Sequence, residues 1–305
     1  MKFIVTGGAG FIGINIVKLL LKKGHSVDII DNLHAGKKEN LQELIKEVNF
    51  HKIDIRDKQG LEVIIKDCDG IFHEAALTAV PESFEKPEEY QDVNVNGTKN
   101  IFEIAKERGI RIIYASSSSI YGNVKNIPIK ENEEKKPINP YGQTKVDDEI
   151  MAEEFSKNNL SVIGLRYFNV YGIGQTGSYA GVITKFLDNI KNKKPFIING
   201  SGYQIRDFIH VKDIAKANLV AMESKVMNGF FNIGTEIPTS INDLAKTMIE
   251  ISNHQEGIIH SSPLEGDVKI SQADMKLTRQ LLNWKHEINL TEGLSELIHN
   301  KSINR

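Results

Sequence analysis

Two side chains able to do acid–base work stand one helical turn apart in Tyr141-Gly142-Gln143-Thr144-Lys145. Residues four apart share a helix face, so the lysine ammonium can lie beside the phenol. That neighbour favours the phenolate and lowers a pKa that is about 10 in water. A phenolate formed in this way can take a hydroxyl proton near neutral pH. In an arbitrary chain the same spacing is usually a solvated helix face. Here it follows a strand-like run that ends in Ala115-Ser116-Ser117-Ser118-Ser119, and the chain opens with a glycine-rich loop.

That loop is Gly7-Gly8-Ala9-Gly10-Phe11-Ile12-Gly13, directly after the apolar run Phe3–Thr6. Glycine is needed where such a chain turns tightly, where its backbone approaches a pyrophosphate, and where helix packs on strand. The helix that begins there offers unbonded N–H groups and a positive dipole end to phosphates. Gly7, Gly10, Phe11, Ile12 and Gly13 are therefore candidate cofactor contacts. Asp31 ends the second apolar run, 18 positions beyond Gly13. Its carboxylate can accept both hydroxyls of an adenine ribose and would repel the extra phosphate of NADP, so the expected cofactor is NAD. The His, Cys and Asp residues show no metal-ligand spacing, and no metal is expected.

The elements that must position these groups alternate two periods. Phe3–Thr6, Ser26–Ile30, Val48–Ile53, Gly70–His73 and Arg111–Ser116 are short apolar runs of strand length. Helical patterns lie between them. One is Phe11–Lys23, with Gly24 as its stop, and another is Asn96–Arg108, stopped by Gly109. Apolar strands alternating with helices predict an α/β fold, a doubly wound parallel sheet of the Rossmann type covered on both faces. Beyond Leu160–Arg166, glycines at 172, 174, 177, 181, 200 and 202 break the chain into short elements. This places a soft boundary near residue 170. Residues 1–170 form the NAD-binding domain and 171–305 a smaller C-terminal substrate-binding lobe, with some chain crossing back. Trp284 reads as core with Leu281 and Leu282, and the tail 301–305 as frayed.

Composition narrows the function classes. The 305 residues are 40% hydrophobic and 26% charged, which excludes whole-chain disorder. A formal charge of -2 gives no electrostatic reason to expect nucleic acid or an anionic membrane as partner. Cys68 is the single cysteine, which suits a reducing compartment. The apolar start is far too short for a signal sequence or a membrane span, so the expectation is a soluble, cytoplasmic protein.

The G-x-x-G-x-x-G spacing resembles the short-chain dehydrogenase/reductase superfamily, and more closely its extended branch of NAD-dependent epimerases and dehydratases. The likeness runs from residue 1 to about 295. Asp54-Ile55-Arg56-Asp57 is similar to the family segment at the adenine, and His73-Glu74-Ala75-Ala76 to the strand end beneath the nicotinamide. Asn94-Val95-Asn96-Gly97-Thr98 is similar to the start of the central helix. The resemblance thus implies cofactor contacts at Asn32, Asp54, Ile55, Ala75, Ala76, Asn94, Tyr141, Lys145 and Phe168. It also implies a substrate hydroxyl partner four residues before Tyr121, which is Ser117, and a catalytic set of Ser117, Tyr141 and Lys145.

Reaction type follows from the same strand end. Related 4,6-dehydratases carry an Asp-Glu pair in the two positions after that hydroxyl, and decarboxylases tend to keep a glutamate at the second. Ser118 and Ser119 stand there, and a hydroxyl cannot replace a carboxylate as proton shuttle at neutral pH. What remains resembles a nucleotide-sugar 4-epimerase acting on a UDP-sugar, with decarboxylase or dehydratase as alternatives. A non-catalytic NAD-binding protein is the alternative of another class, opposed by the intact Ser117, Tyr141 and Lys145. The resemblance implies substrate contacts at Ser117, Tyr141, Asn169, Arg206 and Ser271. A guanidinium at 206 suits a phosphate, and a small residue at 271 admits an N-acetyl group beside the sugar 2-position. Asp207 and His210 read as structural. Two departures bear on the nucleotide: Leu264 replaces an expected arginine, and Ile173-Gly174 lacks the usual proline and arginine. The resemblance finally implies a homodimer through helices around 88–108 and 141–157, with Val93, Ile101, Ile104, Ile150 and Met151 available for the seam.

Overall fold

The computed structural model describes residues 1–175, 181–264 and 266–300; Gly177 and the tail 301–305 lie outside the described residues. Among the described residues there are twelve strands: β1 Lys2–Thr6, β2 Ser26–Ile30, β3 Val48–His51, β4 Gly70–His73, β5 Arg111–Ser117, β6 Val162–Tyr167, β7 Asn169–Tyr171, β8 Phe196–Asn199, β9 Ile205–His210, β10 Asn228–Ile233, β11 Pro238–Ser240 and β12 Ile258–Ser261. Seven of them form one parallel sheet in the order β10-β6-β5-β4-β1-β2-β3.

Alternate residues of each strand face opposite sides of this sheet, and both sides are apolar because helices cover both. Phe3, Val5, Phe72, Ile113 and Ile163 pack on one side with Val17 and Leu20 of the helix Phe11–Lys22. Ile4, Ile71, Ile112 and Tyr114 pack on the other with Ile101, Phe102 and Ala105 of the helix Gly97–Arg108. That helix ends at Gly109 with φ 65°, the left-handed geometry that a glycine stop supplies. Val93, Ile101 and Ile104 are buried within this chain, while Ile150 is exposed and Met151 half-buried. Three of the five residues expected at a dimer seam are thus core.

The strand order reverses between β1 and β4, so the crevice at their C-terminal ends is where an open α/β sheet binds ligands. Register aligns Thr6 with Ile30 on one side and with His73 on the other, and Ser117 with Tyr167. Thr6, Ile30, His73, Ser117 and Tyr167, with the residues that follow them, therefore emerge along a single edge.

The second lobe holds a three-stranded sheet, β11-β9-β7, and the parallel pair β12–β8. Its core joins Phe186, Phe196, Leu244, Met248 and Leu294, with Phe186 and Phe196 stacked at 4.3 Å. The chain then crosses back. The helix Val211–Glu223 packs on the helix Phe11–Lys22, and β10 extends the large sheet beside β6. Residues 211–233 are thus part of the large sheet's layers. Leu282 and Trp284 are buried, but Leu281 is exposed. No helix among the described residues is long and apolar enough to cross a membrane.

Candidate active site

A cavity of about 440 Å³ opens along the C-terminal edge of the large sheet. One end is built from backbone. Gly7 has φ 65°, and a Cβ there would sit 2.8 Å from the Ala75 nitrogen. A Cβ on Gly13 would sit 2.2 Å from the Gly7 carbonyl oxygen. The loop can close on the strand end and the helix on the loop only without side chains. Gly10 is the N-cap of the Phe11–Lys22 helix and provides no side-chain cap, so the first-turn N–H groups remain available to an anion. This cradle fits a dinucleotide pyrophosphate.

Asp31 lies beside it, buried. Its Oδ1 accepts from the Leu33 N–H at 2.7 Å and its Oδ2 from the Ala9 N–H at 3.0 Å. Burial raises its pKa despite those two bonds. A carboxylate has about four lone-pair sites, so acceptor capacity remains for a ribose diol. Asn32 and Ile55 also line the cavity. Asp54 does not. Its carboxylate is engaged with Arg56 at 2.8 and 2.9 Å and with the Asn32 amide at 2.9 Å, and the Arg56 hydrogen bonds hold it far below the usual range.

Ala75 and Ala76 line the middle of the cavity, where their small side chains leave room. Asn94 is set back and fully buried. Its Oδ1 accepts from the Leu77 N–H at 2.8 Å, and its amide donates to the Leu77 carbonyl and to Thr144 Oγ1 at 2.9 and 3.1 Å. It therefore ties the segment after β4 to the helix Pro140–Lys157 rather than facing the cavity. His73 is held between Thr6 at 2.6 Å and Thr98 at 2.9 Å. Burial lowers it to about 3, so this imidazole stays neutral.

The chemical end joins the end of β5 to the Pro140–Lys157 helix. That helix begins at Asn139, whose Oδ1 accepts from the Gly142 N–H at 2.7 Å, with Pro140 in the first turn. Tyr141 and Lys145 both line the cavity, as their spacing predicts, with Ser117, Phe168 and Asn169. Ser117 caps the short turn that follows it: its Oγ accepts from the Ser119 N–H at 3.1 Å. Ser116 instead donates to Glu149 Oε1 at 2.7 Å. Glu149 in turn takes two bonds from Arg166, both at 2.8 Å. This buried strut fixes β5, β6 and the helix relative to one another.

Two acids stand here that the sequence alone did not single out. Glu74 directly follows β4 and lines the cavity. Its Oε1 accepts from the Tyr167 hydroxyl at 3.0 Å, and Oε2 is buried without a partner among the described residues. Burial pushes it up to about 8, so it is protonated at neutral pH. Asp148 is fully buried with Oδ2 3.2 Å from Lys145 Nζ. A carboxylate placed right at the end of a central strand was the signal available for Glu74.

Arg206 and Ser271 lie outside the cavity lining, in the second lobe. Arg206 is buried, paired with Asp267 and donating to the Ile205 carbonyl at 2.8 Å. Ser271 is also buried, its N–H bonded to the same carbonyl at 3.0 Å. That bond sets the segment of Ser271 beside the start of β9, the strand that carries Arg206 and whose neighbour β7 carries Asn169 into the cavity. Asp207 accepts from Thr235, Glu236 and Ala273, and His210 caps the helix Val211–Glu223, both structural tasks.

A parallel sheet with a glycine cradle, a buried acid at β2 and a Tyr–Lys pair across the crevice defines a nucleotide-dependent enzyme of the short-chain dehydrogenase/reductase type. Residues 3–234 match the NAD dependent epimerase/dehydratase family, and the chain belongs to that family. Its cofactor is NAD. A Methanocaldococcus jannaschii protein provisionally named a UDP-glucose 4-epimerase is 41% identical over 97% of both chains. A Bacillus cytotoxicus UDP-N-acetyl-alpha-D-glucosaminuronate decarboxylase is 30% identical, covering 97% of this chain and 96% of its own. Among solved structures, the Thermotoga maritima UDP-glucose 4-epimerase with UDP-glucose has a TM-score of 0.94 at 34% identity, covering 99% of this chain and 100% of its own. A UDP-N-acetylglucosamine 4-epimerase from Methanobrevibacter ruminantium, in complex with UDP-N-acetylmuramic acid, has 0.92 at 36%, covering 97% and 96%. A Thermus thermophilus UDP-glucose 4-epimerase in complex with NAD has 0.89 at 30%, covering 97% of each.

Proposed function

We propose that this protein interconverts the C4 epimers of a UDP-sugar. The carrying observation is that Ser117, Tyr141 and Lys145 line one end of the NAD-fitting cavity while Ser118 and Ser119 occupy the positions where a dehydratase needs its acid pair. The glycine loop and Asp31 would hold the pyrophosphate and adenosine, and Lys145 would reach the nicotinamide ribose. NAD, when bound, supplies a reversible hydride acceptor for sugar C4.

The remaining work belongs to side chains of this chain. Ser117 accepts and donates at the 4-oxygen and orients it. Tyr141 takes the 4-hydroxyl proton as phenolate and gives it back after the keto sugar has turned its other face. Lys145 keeps that phenolate accessible at neutral pH. In the second lobe, Asn169 and Arg206 are the donors for the diphosphate. Arg206 must then exchange part of its bond with Asp267 for a phosphate, an exchange that suits its two-pronged geometry. Ser271 leaves room at the sugar 2-position, so both the UDP-glucose/UDP-galactose pair and the N-acetylhexosamine pair are proposed substrates.

A second reading is nucleotide-sugar decarboxylation, favoured by the 30% likeness to the Bacillus cytotoxicus enzyme. Product mass separates the two. Epimerisation gives an isomer of equal mass, whereas decarboxylation of a uronic-acid substrate loses carbon dioxide. Incubation with UDP-glucose, UDP-N-acetylglucosamine and UDP-glucuronic acid, read by mass spectrometry and proton NMR, decides between them.

A further inference from the structure

Asp148 has no task in the chemistry described so far. It lies one turn beyond Lys145 on the Pro140–Lys157 helix, its side chain fully buried and its Oδ2 3.2 Å from the lysine Nζ. Its other oxygen, Oδ1, is buried without a hydrogen-bond partner among the described residues. An acid in such a place costs desolvation that a helix does not need to incur. The helix is already capped by Asn139, and Glu149, the next residue, already makes the tie to Arg166 and Ser116. What Asp148 touches is the lysine.

Resting on the reading of Tyr141 as proton acceptor, we propose that Asp148 is a positioning residue: its carboxylate is the counter-ion that holds the Lys145 ammonium and limits how strongly that ammonium acts on the Tyr141 phenol.

The groups around the pair support this assignment. Lys145 is faced by Asp148 and Tyr141 on its own helix and by Glu74 at the end of β4. Burial pulls Lys145 down, but these neighbours outweigh it, and the ammonium is held above the ordinary lysine value. His73, also on β4, is neutral. Glu74, pushed by burial up to about 8, is mainly protonated at neutral pH. Burial pushes Asp148 up to about 6, with Lys145 pulling it back and Asp147 and Glu149 adding to the rise. Glu149 is itself compensated by Arg166 and Lys135. Tyr114, on β5, is a buried phenol held well above its usual value, first by desolvation and then by Glu149 and Asp148. Near neutral pH, Asp148 is therefore the ionised acid that faces the lysine. A phenolate forming on Tyr141 must share one ammonium with it. At separations of several ångströms in a protein interior, a charge of this kind is worth about one pH unit.

The test compares wild type, Asp148→Asn, Asp148→Ser, Asp148→Glu and Tyr141→Phe. In cofactor-free protein, tyrosinate absorbance is titrated, and subtraction of the Tyr141→Phe curve isolates position 141. In NAD-loaded protein, kcat and KM for the sugar are followed with pH. Loss of the Asp148 charge is expected to move the Tyr141 step and the acid limb of kcat about one pH unit lower. KM is expected to change less than about threefold, and Asp148→Glu to restore the wild-type position. Unmoved titrations in Asn and Ser variants, or a move to higher pH, overturn the proposal. So does failure of both neutral variants to fold by circular dichroism, because the carboxylate would then be a structural requirement. If Tyr141→Phe loses no absorbance step and keeps its turnover, the fault lies in the reading of Tyr141, and the role of Asp148 falls with it.

Discussion

The two ends of the cavity are made of different materials. The nucleotide end is backbone: a loop that closes only because Gly7 and Gly13 lack a Cβ, helix N–H groups, and an acid already bonded to two main-chain nitrogens. The chemical end is side chains: Ser117, Tyr141, Lys145 and Glu74 on the wall, with Asp148 balancing the lysine and the Glu149–Arg166 strut buried behind them. Backbone recognition is rigid and all-or-none, because a single added methyl group has nowhere to go. Charge balance is graded, because each neighbour shifts a proton equilibrium without removing it.

The largest break should therefore come at the backbone end. Gly13→Ala puts its methyl group against the Gly7 carbonyl, and overpacking of this kind costs roughly 1–3 kcal/mol. The expected outcome is a lowered Tm and no measurable NAD binding by calorimetry. Retained NAD affinity would show that the loop can rearrange. At the sugar, Ser271→Tyr should keep UDP-glucose turnover while kcat/KM for UDP-N-acetylglucosamine falls by about 10–200-fold, the range open to a steric clash. Wild-type activity confined to the unacetylated sugars would remove Ser271 from that role.

A graded effect is expected from Glu74. Its folded-state pKa is raised from 4.5 to about 8, so between those values the folded chain binds a proton that the unfolded chain has released. Stability must then fall as pH rises across that window. Between pH 5 and pH 8 the Tm of the cofactor-free wild type should therefore fall relative to that of Glu74→Gln, in which this contribution is removed while those of the buried histidines stay. Equal slopes for both proteins would contradict the burial of that carboxyl. The smallest expected effect concerns assembly. With Val93, Ile101 and Ile104 in the core, exposed Ile150 and half-buried Met151 are what remain for a seam. Light scattering should still give a dimer at micromolar concentration, and Ile150→Asp should weaken it. A monomeric wild type would refute the dimer.

The same contrast explains what could be read in the chain beforehand. Ser26–Ile30 and Gly70–His73 are strands over the residues their apolar runs predict, because glycine and aspartate punctuate both. The glycine cradle was legible because it is a local pattern with a local cause. The apolar run Val48–Ile53 is longer than its strand, which stops at His51, where the Ile53 N–H turns back to the His51 carbonyl. The apolar stripe offered for a dimer is a case of another kind. An apolar face looks the same whether it meets a sheet or a second subunit, and here the sheet takes most of it. Glu74 and Asp148 stayed hidden because nothing local distinguishes a buried acid from a solvated one. Their state depends on Tyr167, Lys145 and the strands packed around them. The crossing back is legible in outline, but its extent, residues 211–233, is set by a pairing between distant strands.

Epimerisation through a proton taken by Tyr141 can be followed on UDP-galactose and UDP-N-acetylgalactosamine by proton NMR, with NAD-loaded wild type beside Tyr141→Phe. Wild type should yield a 4-epimer of unchanged mass without net consumption of NAD. Tyr141→Phe should bind NAD normally but turn over about 10²–10⁴-fold more slowly, the contribution of a positioned acid–base group. A wild-type product that has lost water or carbon dioxide, or near-normal turnover in the phenylalanine variant, would contradict this mechanism.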